Sequence, residues 1–167
     1  MKGRIISPGK AEGVAIVSTE PIGFYGGIDI KTGIVIEKGH PLEGRSVKDK
    51  ILVFPCGKGS TVGSYVIYGI KKNDVAPAGI INKETETIVA TGVILAGIPC
   101  IDKIDISKIK TGDKIRIKAG DEDLRFLLIS GKPIQEPVAW YGPIVMNTQE
   151  ELDLAFSEYR NGTFIKA

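Results

Sequence analysis

The stretch Ile51-Leu52-Val53-Phe54-Pro55-Cys56-Gly57-Lys58-Gly59-Ser60-Thr61 decides how this chain is read. Four consecutive apolar residues suit a strand covered on both faces. Beyond the glycines, Val62, Tyr65, Val66, Gly69 and Ile70 fall at helical spacing over residues 61–72, and Asn73 can end that helix. A strand, a Gly-x-Gly loop and a helix form an anion-binding layout, because the first N–H groups of a helix lack internal partners and carry partial positive charge. Lys58 adds a full charge, and Gly57 and Gly59 let the backbone approach a ligand. Ser60 then falls at the helix N-terminus, where N–H dipoles stabilise an alkoxide and let the oxygen act as a base. Spacing leaves a plain alternative open, with Ser60 a simple N-cap and the glycines serving a tight turn. Lys58 is likewise either a substrate-anion ligand or a solvated lysine. The loop is not a Walker loop, and it lacks the third glycine of a dinucleotide-binding turn.

Working outward, residues 78–82 read as a second covered strand and residues 98–101 as a third. Residues 86–96 form a helix with Ile88, Val89, Gly92, Val93 and Ala96 on one face. Strand, helix, strand, helix, strand is a parallel crossover pattern, so the expected fold class is α/β. Residues 3–6 and 13–18 read as a pair of strands around a Pro8-Gly9-Lys10 turn, residues 34–36 as a further strand, and residues 113–118 as a closing strand. Asn82 and Lys83 end a strand at the same edge as the Ser60 loop, where α/β sheets bind ligands. Asp29 is either a cleft residue or a turn aspartate. His40 is expected at the surface or an interface. Ser64 and Tyr65 are expected to pack.

The net charge of +2 and the absence of a basic stripe interleaved with aromatics argue against nucleic acid. No apolar run reaches the length that spans a bilayer, and the N-terminus does not read as a signal peptide, so a cytoplasmic protein without a membrane partner is expected. Cys56 and Cys100 are read as reduced thiols. With the single His40 they make neither a zinc set nor an iron–sulfur site, so no metal is expected in this chain.

Pro-Cys-Gly-Lys-Gly-Ser-Thr-Val-Gly-Ser-Tyr at 55–65, with Gly26-Gly27-Ile28-Asp29 before it and Ala78-Gly79-Ile80-Ile81-Asn82-Lys83-Glu84 after it, resembles the small subunit of the aconitase X family over about residues 2–119. The resemblance implies a swivelling β/β/α domain and a hydro-lyase subunit that dehydrates (R)-5-phosphomevalonate to trans-anhydromevalonate 5-phosphate. It implies a heterodimer whose large subunit carries the [4Fe-4S] cluster, with no activity without that partner. By the same resemblance Ser60 accepts the substrate proton and Thr61 is the second hydroxyl of the loop. Lys58, Gly59, Thr61, Asn82, Lys83 and Asp29 are the candidate contacts to the phosphorylated hydroxy acid.

The texture changes near Gly120-Asp121-Glu122. Residues 1–119 hold 18 basic and 12 acidic side chains, whereas residues 120–167 hold 4 and 8. Domains are therefore expected at 1–120 and 121–167. Residues 124–130 read as a strand and 133–143 as a Pro-rich extended arm. Thr148 and Glu151 read as the capping box of a helix whose apolar face is Leu152, Ala155, Phe156 and Tyr159, ended by Asn161-Gly162. Arg125-Phe-Leu-Leu-Ile-Ser-Gly-Lys-Pro-Ile and Glu136-Pro-Val-Ala-Trp-Tyr-Gly-Pro-Ile-Val-Met-Asn resemble the C-terminal end of pirins. The N-terminal cupin that holds the pirin metal has no counterpart, so no metal is carried over. A junction of two families implies a chimera, natural or engineered. The alternative function is a catalytically silent scaffold in which the tail blocks the large subunit or drives self-association, since Trp140, Phe126 and Phe156 would be exposed without a partner surface.

Overall fold

The computed structural model describes residues 1–120 and 136–164. The chain divides into two units, Met1–Asp123 and Leu124–Ala167, each described by itself.

The first unit is a mixed α/β fold. Its strands are β1 (Arg4–Ser7), β2 (Gly9–Val17), β3 (Ile22–Gly23), β4 (Ile51–Phe54), β5 (Gly57–Lys58), β6 (Gly79–Asn82), β7 (Cys100–Asp102) and β8 (Lys114–Ala119). Helix α1 (Gly63–Lys72) follows β5, and α2 (Thr87–Ala96) follows β6. Six strands make one sheet in the order β1-β7-β6-β4-β2-β8. The inner four are parallel, as the crossover pattern requires, and the two outer strands run antiparallel to their neighbours.

Strand β4 shows why a continuous apolar run was needed. Leu52 and Phe54 join the core beneath the helices, with Ile67, Ile70, Val89 and Val93. Ile51 and Val53 join a second core on the opposite face, with Ala15, Ile81, Ile104, Ile109 and Ile117. Alternation of side chains across a strand sends neighbours to different cores.

The expected hairpin around Pro8-Gly9-Lys10 does not form. Strand β1 pairs with β7 and β2 pairs with β4 and β8, although only Pro8 separates β1 from β2. Ser7 pairs with Cys100 and Gly9 with Ala119. Two residues of chain span about 7 Å at most, so the two ends of the sheet meet there and the sheet curls. Gly9 has φ +140°, and a Cβ on it would lie 2.7 Å from Pro99 Cγ. That close approach explains glycine at this corner. The expected strand at 34–36 is reduced to two isolated bridges, Ile28 with Val35 and Ile34 with Ser46. Val35 is still buried in the core.

Helix α1 begins at Gly63, later than the spacing predicts, and its buried stripe is Gly63, Ser64, Val66, Ile67 and Ile70. Val62 and Tyr65, expected inside, are 42% and 71% exposed. The stripe is chosen by α2, where a Cβ on Gly92 would lie 2.6 Å from Ile67 Cδ1. Ser64 packs as expected and donates to the Ile88 carbonyl at 3.0 Å. Asn73 caps α1 as predicted, and Glu86 caps α2 by accepting from the N–H groups of Ile88 and Val89.

One buried carboxylate ties three segments together. Asp102 on β7 is fully buried and accepts from Arg4 Nε at 2.9 Å, a second Arg4 nitrogen at 2.6 Å, and the Thr85 N–H at 2.9 Å.

In the second unit β9 (Ala139–Tyr141) pairs antiparallel with β10 (Ile144–Met146), and α3 (Gln149–Asn161) follows. The expected extended arm is thus a hairpin across Gly142-Pro143. Gly142 supplies φ +58° at the first turn position, and proline occupies the second. The capping box of Thr148 and Glu151 forms as read, and Gly162 is the left-handed C-cap. Leu152 and Ala155 are buried, Phe156 meets Tyr141 edge-on at 5.4 Å, and Trp140 is 69% exposed. The strand expected at 124–130, with Phe126, lies outside the described residues.

Burial by itself raises the Asp102 pKa, but the Arg4 and Thr85 hydrogen bonds outweigh it and hold the carboxyl below its usual range. A carboxylate with a depressed folded pKa stabilises the fold above its unfolded pKa, about 3.9. That contribution disappears as pH falls through the folded value. Asp102→Asn should therefore lower stability by about 2 kcal/mol at pH 7, the scale of hydrogen bonds to a charged group. It should also flatten the acid side of the stability profile below pH about 4. Urea unfolding midpoints from pH 2 to 7 check both.

Candidate active site

The Ser60 loop leaves the C-terminal end of β4, turns at Pro55-Cys56, and runs as β5 parallel to β3, with Lys58 in register with Gly23. Gly59 has φ +97°, which L side chains rarely adopt. Ser60, Thr61 and Val62 then make a tight turn ahead of α1. The N–H groups of Gly63, Ser64 and Tyr65 donate to the carbonyls of Ser60, Thr61 and Val62 at 2.9, 3.1 and 3.0 Å. Val62 N–H donates to Ser60 Oγ at 3.3 Å.

These bonds correct the expectation that Ser60 stands at the helix terminus itself. The first-turn donors of α1 are taken up by the preceding turn. The N–H groups of Gly59, Ser60 and Thr61 are not bonded to other described residues. The unpaired N–H groups thus lie in this turn and not at the helix terminus. Gly59, Ser60 and Thr61 are all exposed, and Ser60 Oγ keeps its own proton to give.

Two glycines serve different ends. A Cβ on Gly57 would overlap Glu86 Oε1 and lie 2.8 Å from Val89 Cγ2, so this glycine lets β5 press against the N-cap of α2. Nothing lies within 4 Å of a Cβ on Gly59, so that glycine answers only the backbone conformation.

The remaining candidates are placed as follows. Lys58 Nζ donates to Glu37 Oε1 at 2.5 Å, an ion pair that no spacing in the sequence signals. The hydrogen bond from Lys58 holds the Glu37 carboxyl below its usual range. Asn82 is fully buried and its amide is satisfied at both ends, donating to the Phe54 carbonyl at 2.9 Å and accepting from Thr85 Oγ1 at 3.1 Å. It clips β6 to the end of β4, directly behind the loop. Lys83 is exposed and lines a cleft of about 850 Å³ with Val17, Pro55, Lys103 and Ile104, at the C-terminal edge of the parallel strands.

Asp29 closes its own turn. Its Oδ1 accepts from Thr32 Oγ1 and Thr32 N–H, each at 2.8 Å, and from Lys31 N–H at 3.0 Å, which holds its carboxyl below the usual range. Its neighbour Ile30 packs on Gly69 and accepts from Asn73 Nδ2, so Asp29 lies toward the far end of α1 from Ser60.

His40 is buried rather than at the surface. Its Nδ1 accepts from Leu42 N–H at 3.1 Å, which leaves the proton on Nε2 to meet Ser18 Oγ at 3.2 Å. Both cysteines are free. Burial pushes the Cys100 thiol up to about 12, so it stays protonated near neutral pH. Among the described residues no group of three His, Cys, Asp or Glu side chains is placed to hold a metal ion. No described helix is long and apolar enough to cross a membrane.

A family model described as the aconitase X swivel domain matches residues 1–126. The phosphomevalonate dehydratase small subunit of Thermococcus sibiricus is 57% identical over 119 residues, covering 71% of this chain and 92% of that protein. The subunit of the same name from Methanocaldococcus jannaschii is 60% identical over 115 residues, covering 69% of this chain and 88% of that protein. The crystal structure of Thermococcus kodakaraensis aconitase X in its holo-form superposes with a TM-score of 0.69 at 58% identity, covering 70% of this chain and 89% of that chain.

Gly57→Ala must displace the Glu86 cap and is expected to cost about 2 kcal/mol, the sum of steric strain and a weakened cap. Gly59→Ala meets no neighbour and is expected to cost about 1 kcal/mol of backbone strain. Urea melts of the two variants should rank them in that order.

Proposed function

The chain belongs to the aconitase X swivel-domain family, and on that footing we propose that it is the small subunit of a hydro-lyase acting on (R)-5-phosphomevalonate. The product is trans-anhydromevalonate 5-phosphate. The observation that carries this reading is Ser60, an exposed hydroxyl on a turn of free N–H donors, one residue beyond Gly59 and two beyond the cationic Lys58. It is half of a catalytic site. In this reading the loop supplies the base and the contacts to a substrate anion, and among the described residues no group of three His, Cys, Asp or Glu side chains accompanies it that could hold a metal ion.

In the proposed reaction Ser60 Oγ takes the proton from the carbon between the carboxylate and the hydroxyl-bearing carbon. Ser60 acts as the alkoxide, having given up its own proton; the released electron pair becomes the new double bond as the hydroxyl leaves as hydroxide, which takes up the proton that Ser60 released and becomes water. Val62 N–H favours negative charge on the serine oxygen. Lys58 and the N–H groups of Gly59 and Thr61 hold a substrate anion, and Lys83 at the same sheet edge is a further candidate for the phosphate. Asn82 supports the end of β4 from which the loop starts, whereas Asp29 closes a turn of its own and is not assigned to the substrate.

An iron–sulfur cluster does not fit this chain, whose two cysteines fall short of the four thiolates such a cluster takes. The cluster is assigned to the large subunit, and no step here is derived through it. The subunit name of the relatives supports a heterodimer and a requirement for that partner.

The alternative concerns residues 124–166. Their pirin-like and chimeric reading rests on the sequence motif alone, and the family match ends at residue 126. The second unit exposes Trp140, Tyr141 and Val145, which favours association through that unit as a second reading.

Mixing the chain with a dehydratase large subunit under anaerobic conditions should restore dehydration. Ser60→Ala should then lower kcat by roughly 10²–10⁴-fold, the usual worth of a general base, with assembly unchanged. Full activity of that variant would sink the role of Ser60. Light scattering with and without residues 124–167 decides the second reading, because an unchanged mass excludes association through the tail.

A further inference from the structure

Gly26-Gly27-Ile28-Asp29 stands out in the sequence, yet its aspartate only closes a local turn. The glycines have a different use. A Cβ on Gly27 would overlap the Gly23 carbonyl oxygen and lie 3.2 Å from Glu37 Oε2. A Cβ on Gly23 would lie 3.6 Å from Glu37 Oε2 and 3.7 Å from Lys58 Cγ. The two glycines therefore form a cradle for the Glu37 carboxylate. The backbone beneath is anchored, since the N–H groups of Ile36 and Glu37 donate to the Gly27 carbonyl at 2.8 and 3.3 Å. From this cradle Glu37 Oε1 accepts from Lys58 Nζ at 2.5 Å.

The pair is half exposed, with side-chain exposures of 44% for Lys58 and 27% for Glu37, so it contributes little to stability. Its position suits another purpose. The β3–β5 ladder and the ion pair brace Lys58 on the upstream side of the loop, and the Gly63 N–H to Ser60 carbonyl bond braces the downstream side. Only Gly59 lies between Lys58 and Ser60, and it makes no side-chain contact of its own. An ammonium has three donors, so one on Glu37 leaves two for substrate oxygens.

We propose that Glu37 is a positioning residue of the active site, orienting the Lys58 ammonium and through it the turn that carries Ser60. This rests on the reading of that loop as the catalytic half-site. Small displacements of a catalytic group cost large factors in rate, about 10²-fold for 1 Å. Removing the carboxylate should therefore lower kcat more than it changes the melting temperature.

The test is a double-mutant cycle in the enzyme reconstituted with its large subunit, using Glu37→Gln, Lys58→Met and the double variant, with Glu37→Asp as the conservative control. Glu37→Gln is expected to lower kcat by about tenfold or more, with KM changed less than kcat. Glu37→Asp should recover part of the loss, and the double variant should be no worse than Lys58→Met alone. Losses that multiply across the cycle would overturn the proposal. So would a Glu37→Gln effect confined to melting temperature, with kcat per assembled complex unchanged. If Glu37→Gln fails to assemble, kcat of Glu37→Asp against wild type decides by the same criterion, and a wild-type value overturns the proposal. Ser60→Ala run alongside separates the two claims. Full activity there removes Ser60 as the base, whereas the cycle reads the Glu37–Lys58 coupling independently.

Discussion

Everything in the first unit depends on β4 being buried on both faces. Ile51 and Val53 fill one core while Leu52 and Phe54 fill the other, and all four are completely buried. A shift of one residue would exchange the two sets of side chains. The point at which the chain leaves the sheet at Pro55 is therefore set firmly, and Asn82 clips that end by bonding the Phe54 carbonyl. The Ser60 loop begins from a rigid place even though its tip is exposed. Placing reactive groups on a loop held by a rigid scaffold is the arrangement that α/β folds use at the carboxyl ends of their strands.

Two ion pairs show how burial divides structural from functional charge. Asp102 is fully buried, and its bonds to Arg4 and Thr85 join β1, β7 and the approach to α2. Loss of its charge would weaken the bonds it accepts from the half-exposed Arg4 and from the Thr85 N–H. Glu37 and Lys58 are both partly in water, where ion pairs contribute little to stability. Their geometry, beside the loop and between two glycines, gives the pair a role in aiming a side chain.

The central pattern was legible because it depends on short-range rules. Apolar runs at 51–54 and 78–82, helical spacing after each, and Asn73 and Thr148 as caps can all be read within a window of a few residues. The Gly-x-Gly loop and Ser60 were legible for the same reason. What failed were features decided by distant partners. The Pro8-Gly9 corner resembles a hairpin turn, but Pro99 and the pairing of Gly9 with Ala119 send the two strands to different neighbours. Tyr65 lies within the helical spacing of α1, but contact with Gly92 on α2 rotates the buried stripe to Ile67. In the second unit, Gly142-Pro143 is a hairpin turn whose signal was outweighed by the number of prolines around it.

By itself, then, the sequence determined the α/β class, the parallel crossover core and the loop carrying Ser60, because each follows from side-chain periodicity and from the backbone freedom of glycine. Only the tertiary structure decided that the sheet curls, that His40 is inside, that Ser60 stands on a turn ahead of the helix, and that Lys58 is held by Glu37. These depend on contacts between residues far apart in the chain, such as the 21 positions separating Glu37 from Lys58. A pattern read along the sequence carries no record of such contacts until the chain has folded.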